Sequence, residues 1–242
     1  MSAYPEYIEP LFRPPSEAES LILQVTNGCS WNRCTYCDMY TAPQKKFSLK
    51  KADQVFAEIE RAAQAMPFVR RIFLADGDAM VLSTRRLLAI LQKIQQHFPD
   101  INRVSAYCLP SNLKNKSVDE LKELKQAGLA LAYIGAESGD DELLRLIEKG
   151  ETFESTVEAC QKLQQAGIKT SVMIINGLGG DLYTQQHAIN SARLVNECQP
   201  NYLATLVLGL PTPKERFLHS LPQHFQLLEQ MGLFKDCLLY TN

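Results

Sequence analysis

No stretch of this 242-residue chain approaches the roughly 18 consecutive apolar residues that a membrane-spanning helix needs. Nor does it open on a basic-then-apolar leader; Met1 to Ser20 is rich in Pro and Glu instead. These absences lead us to expect a cytoplasmic protein with no membrane partner. Charge of one sign is lacking as well, with 25 Lys and Arg against 27 Asp and Glu and a net of −2. That balance argues against a protein held to nucleic acid or to an anionic surface by bulk charge, and no nucleic-acid-binding module is recognisable. There is no low-complexity tract and no internal repeat beyond a strand–helix unit, so one domain is the economical reading. With 45% hydrophobic and 21% charged residues, the chain is too apolar to stay disordered.

What the sequence has is alternation. Leu21 to Thr26 reads as a strand that stops at the turn signal Asn27-Gly28. Lys50 to Met66 places Val55, Phe56, Ile59, Ala62 and Ala63 on one helical face. The pattern then repeats: strands at Val69–Ala75, Arg103–Leu109, Leu129–Ala136 and Ile168–Ile175, and helices at Thr84–Phe98, Ser117–Gln126, Asp140–Glu148, Glu154–Ala166 and Gln185–Cys198. Ser117 to Glu120 reads as a capping box. Leu203 to Leu208 is a last apolar run, and the pattern loosens beyond it, with a helix expected at Pro222–Met231 and an apolar stretch at Cys237–Tyr240. Strands alternating with helices need crossover connections and form a parallel α/β sheet. Periodicity alone leaves two forms open, an incomplete barrel and an open doubly wound sheet. Both collect their chemistry at the carboxyl ends of the strands.

The unusual residues stand there. Cys29, Cys34 and Cys37 follow the first strand, Asp76-Gly77-Asp78 the second, Leu109 to Asn112 the third, Glu137-Ser138-Gly139 the fourth and Asn176-Gly177 the fifth. Three thiolates on one loop suit an iron–sulfur cluster with one iron left open. A structural zinc ion is the alternative, but it wants a fourth ligand, and no further Cys or His lies nearby in sequence. Cys108, Cys160, Cys198 and Cys237 are isolated and read as core fillers. Asp76-Gly77-Asp78 and Glu137 have plainer readings as turn and helix-capping residues, Gly177 to Gly180 as a tight turn, and the basic run Lys45, Lys46, Lys50 and Lys51 as a solvated face.

The three-cysteine loop with an aromatic before its last Cys, set after the first strand of a strand–helix series, resembles the radical S-adenosylmethionine (radical SAM) enzymes. The usual spacing there has three residues between the first two cysteines; here Ser30 to Arg33 make four. The resemblance spans Leu21 to Leu208 and implies a single-domain, incomplete parallel (β/α)6 barrel. It divides the chain into an irregular leader at 1–20, a core at 21–210 and an extension at 211–242, and leads us to expect more chain than that extension holds. It implies that Cys29, Cys34 and Cys37 hold a 4Fe–4S cluster and that Asp76, Gly77 and Asp78 hold the amino group of S-adenosylmethionine. Glu137 would face its ribose, with Ser138 in the same segment, and Tyr36 and the stretch Met173 to Gly177, Asn176 included, would lie near its adenine. Ile134 to Gly139, followed by Leu143 to Gly150, looks like the fourth-strand segment of the elongator and methylthiotransferase subgroup. The implied activity is an oxidoreductase-type radical enzyme: reductive cleavage of S-adenosylmethionine gives a 5′-deoxyadenosyl radical that takes hydrogen from a substrate the sequence does not identify. A flavodoxin- or ferredoxin-like electron donor follows. Two rivals accompany this reading, a zinc-stabilised α/β interaction module and a non-catalytic binder of the cluster or of S-adenosylmethionine. Tyr107 and Cys108 adjoin on the third strand, and strand alternation turns only one of them inward.

Overall fold

Strand order decides between the two forms of sheet. The computed structural model describes residues 5–209. In it, β1 (Leu21–Gln24), β4 (Arg71–Ala75), β5 (Arg103–Tyr107), β6 (Leu129–Glu137), β7 (Lys169–Asn176) and β8 (Tyr202–Val207) form one sheet, neighbours in that order and all parallel. Two short strands between the first two, β2 (Thr26–Asn27) and β3 (Ser48–Leu49), make a separate antiparallel ladder. The order never reverses, and right-handed crossovers then place all helices on the same face of the sheet. A doubly wound sheet needs a reversal, which is absent. The sheet is therefore that of an incomplete barrel, open between β1 and β8 among the described residues, and forms a single domain. Among the described residues β8 is an edge, and its Tyr202, Leu203 and Leu206 are about half exposed. The helix expected at Pro222–Met231 and the stretch at Cys237–Tyr240 lie outside the described residues. No described helix is long and apolar enough to cross a membrane.

The crossover helices are α1 (Ala52–Ala65), α2 (Thr84–His97), α3 (Val118–Gln126), α4 (Asp141–Leu146), α5 (Phe153–Gln165) and α6 (Gly180–Cys198). Their starts follow the capping chemistry. Ser117 accepts from the Glu120 N–H at 3.1 Å while Glu120 accepts from the Ser117 N–H at 2.8 Å. Most boundaries shift by one or two residues from the expected ones, and two of the differences have a clear local cause. Helix α6 begins at Gly180, five residues early, because Leu182 points outward, 68% exposed, and hides the helical period. Helix α4 stops at Leu146 because Glu148 turns left-handed, with φ 52°, and the Lys149 N–H closes on the Leu144 carbonyl at 2.9 Å.

Strand alternation sorts the core into two layers. Ile72, Leu74, Val104 and Ala106 pack against the helices, and Phe73, Ala75, Leu131 and Tyr133 face the barrel interior. Tyr107 joins the inner layer and Cys108 the helix-side one. Phe73, Tyr107 and Tyr133 meet edge to face, with centroids 5.1 to 6.2 Å apart, and fill the barrel's centre.

The segment around Glu17 ties the leader to the inner layer and to Arg103 at the start of β5. Glu17, fully buried, accepts from Ser105 Oγ at 2.9 Å, Tyr133 Oη at 2.7 Å and Arg103 at 2.8 Å, and also from Ser20. Burial pushes its pKa up, but these hydrogen bonds and the Arg103 charge outweigh it and hold the carboxyl below its ordinary 4.5. A folded-state pKa below the unfolded one gives stability that is present above 4.5 and lost as pH falls through the lower folded value. Glu17→Leu is expected to cost about 3 kcal/mol near neutral pH, since three buried donors lose a charged acceptor. In urea titrations between about pH 7 and pH 3, the gap between variant and parent should narrow on the acid side. A gap independent of pH would contradict this account.

Candidate functional site

The cysteine loop runs from Gly28 to Lys45 and lies over the carboxyl ends of the strands. Cys29, Cys34 and Cys37 border a single cavity of about 200 Å³. Its wall also takes in Tyr36, Gly77, Glu137, Lys149 and Met173. One of the four residues between the first two cysteines, Asn32, takes a φ of 46°, the left-handed region that asparagine tolerates, and its side chain donates to the Tyr40 carbonyl at 3.0 Å. The loop docks on the turn after α4: Thr35 N–H reaches the Ile147 carbonyl at 3.0 Å, and Trp31 Nε1 reaches the Glu148 carbonyl at 2.8 Å. The same turn carries Lys149 into the cavity.

Burial pushes up the pKa of all three thiols, that of Cys37 to about 11, so without metal they pack as neutral groups. Among the described residues no three His, Cys, Asp or Glu side chains are grouped to hold a single metal ion. Three thiols from one loop on one cavity are a donor set that would suit an iron–sulfur cluster with one iron left open. Gly77 completes the fit. A Cβ there would lie 2.9 Å from Cys29 Cβ and 2.8 Å from Tyr40 Cε2, so only glycine lets the strand end approach the loop.

Glu137 sits at a register shift in the β6–β7 ladder with φ 65°, which turns its carboxylate inward. Its Oε1 accepts from Lys149 Nζ at 3.0 Å, and both residues are under one-tenth exposed. Burial alone would lower the Lys149 pKa; the carboxylate of Glu137 and the nearby Cys34 reverse this and raise it. Tyr36 lies beside the pair and is held protonated by burial and by the Glu137 charge. Helix capping falls to Asp140 instead, whose Oδ1 takes the Leu143 N–H at 2.9 Å.

Four residues expected at the site lie off the cavity wall. Asp76 is fully buried beneath the loop, accepting from Gly28 N–H and Gln24 Nε2 at 3.0 Å each and paired with Lys45. Asp78 is turned to Ser30, taking its N–H at 3.2 Å and its hydroxyl. Ser138 Oγ lies 2.8 Å from His187 Nδ1 and caps the Asp140 N–H at 3.0 Å. Asn176 is exposed and gives its carbonyl to Leu208 at 3.0 Å. The expectation of a solvated basic face is corrected at Lys45, which is fully buried because Asp76 and the Ile8 carbonyl receive its ammonium. Lys149 was missed. Its signal was Gly150 just after an amphipathic run, a helix stop that leaves the preceding Lys free to turn inward.

A family model described as the Radical SAM superfamily matches residues 23–194. Among curated proteins, the heme chaperone HemW of Bacillus subtilis is 24% identical over 66% of this chain and 43% of its own length. The 4′-phospho-dehydrooxetanocin synthase of Priestia megaterium is 25% identical over 64% of this chain and 23% of its own. The chain thus spans less than half the length of these relatives. Among solved structures, coproporphyrinogen III oxidase (HemN) of Escherichia coli superposes with a TM-score of 0.60 at 19% identity, covering 88% of this chain and 52% of that one.

Proposed function

The chain belongs to the radical SAM superfamily, whose enzymes use a 4Fe–4S cluster and S-adenosylmethionine, and on that premise we propose that it is a radical enzyme whose cluster is held by Cys29, Cys34 and Cys37. The observation that carries this reading is the convergence of three thiols from one loop, with the Glu137–Lys149 pair, on one cavity at the strand ends. Cys29, Cys34 and Cys37 would hold the cluster, which would supply the electron for reductive cleavage of S-adenosylmethionine to methionine and a 5′-deoxyadenosyl radical able to take hydrogen from a substrate.

The chain's own residues do the positioning. Lys149 Nζ gives one of its three donors to Glu137 and has two left, the arrangement that suits the methionine carboxylate. Glu137 offers acceptor oxygen to ribose hydroxyls, and Tyr36 and Met173 supply the flat and apolar surfaces that suit adenine. The amino group falls to the Gly77 strand end, with Asp78 taking part if it leaves Ser30. Met39, Leu109, Ile175 and Leu206 add apolar surface to the cavity wall, which would help to exclude water from the reacting atoms. A flavodoxin- or ferredoxin-like donor in the cytoplasm would deliver the electron. The elongator- or methylthiotransferase-type subgroup rests on the Ile134 to Gly139 segment and the Leu143 to Gly150 stretch after it, with loose support from a 28% identity over 43% of this chain to the tRNA uridine(34) acetyltransferase of Methanocaldococcus infernus.

The test is anaerobic reconstitution of the full chain with iron and sulfide, followed by reduction with S-adenosylmethionine and assay of 5′-deoxyadenosine. Product from the parent and none from the triple Cys29, Cys34 and Cys37 to Ala variant is expected. A bound cluster without product would favour the non-catalytic binder; a colourless protein carrying zinc would favour the interaction module.

A further inference from the structure

The cysteine loop closes at a narrow neck. Gly28 opens it and Lys45 ends it, and the two meet so closely that a Cβ on Gly28, which has φ 70°, would collide with the Lys45 carbonyl. Asn27 Nδ2 binds the carbonyls on either side of Lys45, those of Gln44 at 2.8 Å and Lys46 at 2.9 Å. Beneath the neck lies the Asp76 carboxylate. Its Oδ2 collects the Gly28 N–H, the Lys45 ammonium and Gln24 Nε2, while its Oδ1 has no partner. One carboxylate oxygen thus holds both ends of the loop at once. Lys45 Nζ in turn donates to the Ile8 carbonyl at 2.7 Å, tying the neck to the leader.

We propose that the Asp76–Lys45 ion pair is a clasp, a pair of positioning residues that fixes the neck of the cysteine loop and so holds the three thiols over one cavity before any cluster binds. The clasp deepens the proposed function and rests on it for its purpose, though not for its geometry. Both groups are fully buried, so each depends on the other: a lone charge left there would be desolvated without compensation, whereas removing both charges leaves no such penalty. The double variant Asp76→Asn/Lys45→Met is therefore the informative one, because it loses the clasp and keeps the barrel. Lys45→Met alone is the second variant.

Hydrogen exchange followed by mass spectrometry on the metal-free full chain reads the clasp directly. Amides of residues 28–45, among them Cys37 bonded to the Cys34 carbonyl and Lys45 bonded to that of Ala42, are expected to exchange at least about ten-fold faster in the double variant. Peptides from β4 to β7 are expected to be unchanged, and iron bound on reconstitution is expected to fall to less than half. Faster exchange spread evenly through β4 to β7 would mean that the pair only stabilises the whole fold, and it would overturn the clasp. Unchanged exchange in 28–45 in both variants would overturn it too. A parent that takes up no cluster, with exchange still quickened only in 28–45, would sink the proposed function and leave the clasp standing.

Discussion

Alanine at Cys29, Cys34 or Cys37, one at a time, is expected to leave the anaerobically reconstituted protein nearly colourless, with iron and sulfide at about a tenth of the parent's and no detectable 5′-deoxyadenosine. The size of the effect follows from the ligand count. The loop supplies three thiols, and no other described Cys borders the cavity with them except Cys108, which packs into the helix-side core. With one thiol gone, two thiolates would have to hold a cluster that already leaves one iron without a protein ligand. Cys160→Ala is the control, since that thiol is fully buried between α5 and the rest of the helix-side core. It should cost stability, about 1 kcal/mol for the small cavity left, without changing the iron content. Iron retained at parental levels by all three single variants would remove the cysteine loop from the chemistry.

How much of this was legible in the sequence depends on how local the cause is. The strands and helices were readable because burial on one or two faces imprints a period on neighbouring residues, as along Val55, Ile59 and Ala62 in α1. The cysteine loop was readable because its three cysteines lie within nine positions of one another. The barrel, as against an open sheet, was legible only through the family resemblance that the cysteine loop carries, because strand order is a property of the crossovers and leaves no mark on any single strand. Lys45 and Asp76 were illegible for a similar reason. They lie 31 residues apart, and a buried lysine in a run of lysines has the sequence signature of a solvated one. Asp78 and Ser138 sit where the motif puts them, yet their side chains are bonded to Ser30 and His187, partners that only folding brings close.

Lys149→Met is expected to have two separable consequences. The first is on stability. Lys149 and Glu137 are both buried, and a methionine would leave the carboxylate without its cation in a site that water barely reaches. Breaking such a pair from one side costs about 3–5 kcal/mol, visible as a lower urea midpoint. The second is on binding. A charge-assisted hydrogen bond to a carboxylate is worth about 1.5–3 kcal/mol, so affinity of the cluster-loaded protein for S-adenosylmethionine should fall by roughly 10- to 150-fold. The double variant Glu137→Gln/Lys149→Met separates them: with no charge left unpaired it should regain most of the stability, and with no ammonium it should not regain the affinity. Equilibrium dialysis with labelled S-adenosylmethionine and urea titration on the same preparations give both numbers. If the double variant recovered affinity together with stability, Lys149 would be a structural counter-ion to Glu137 and not a contact to the cofactor. The early end of α4 matters for this reason. A helix continued by one more turn would point residue 149 away from the loop, and the left-handed Glu148 is what turns its ammonium back towards Glu137 and the three thiols.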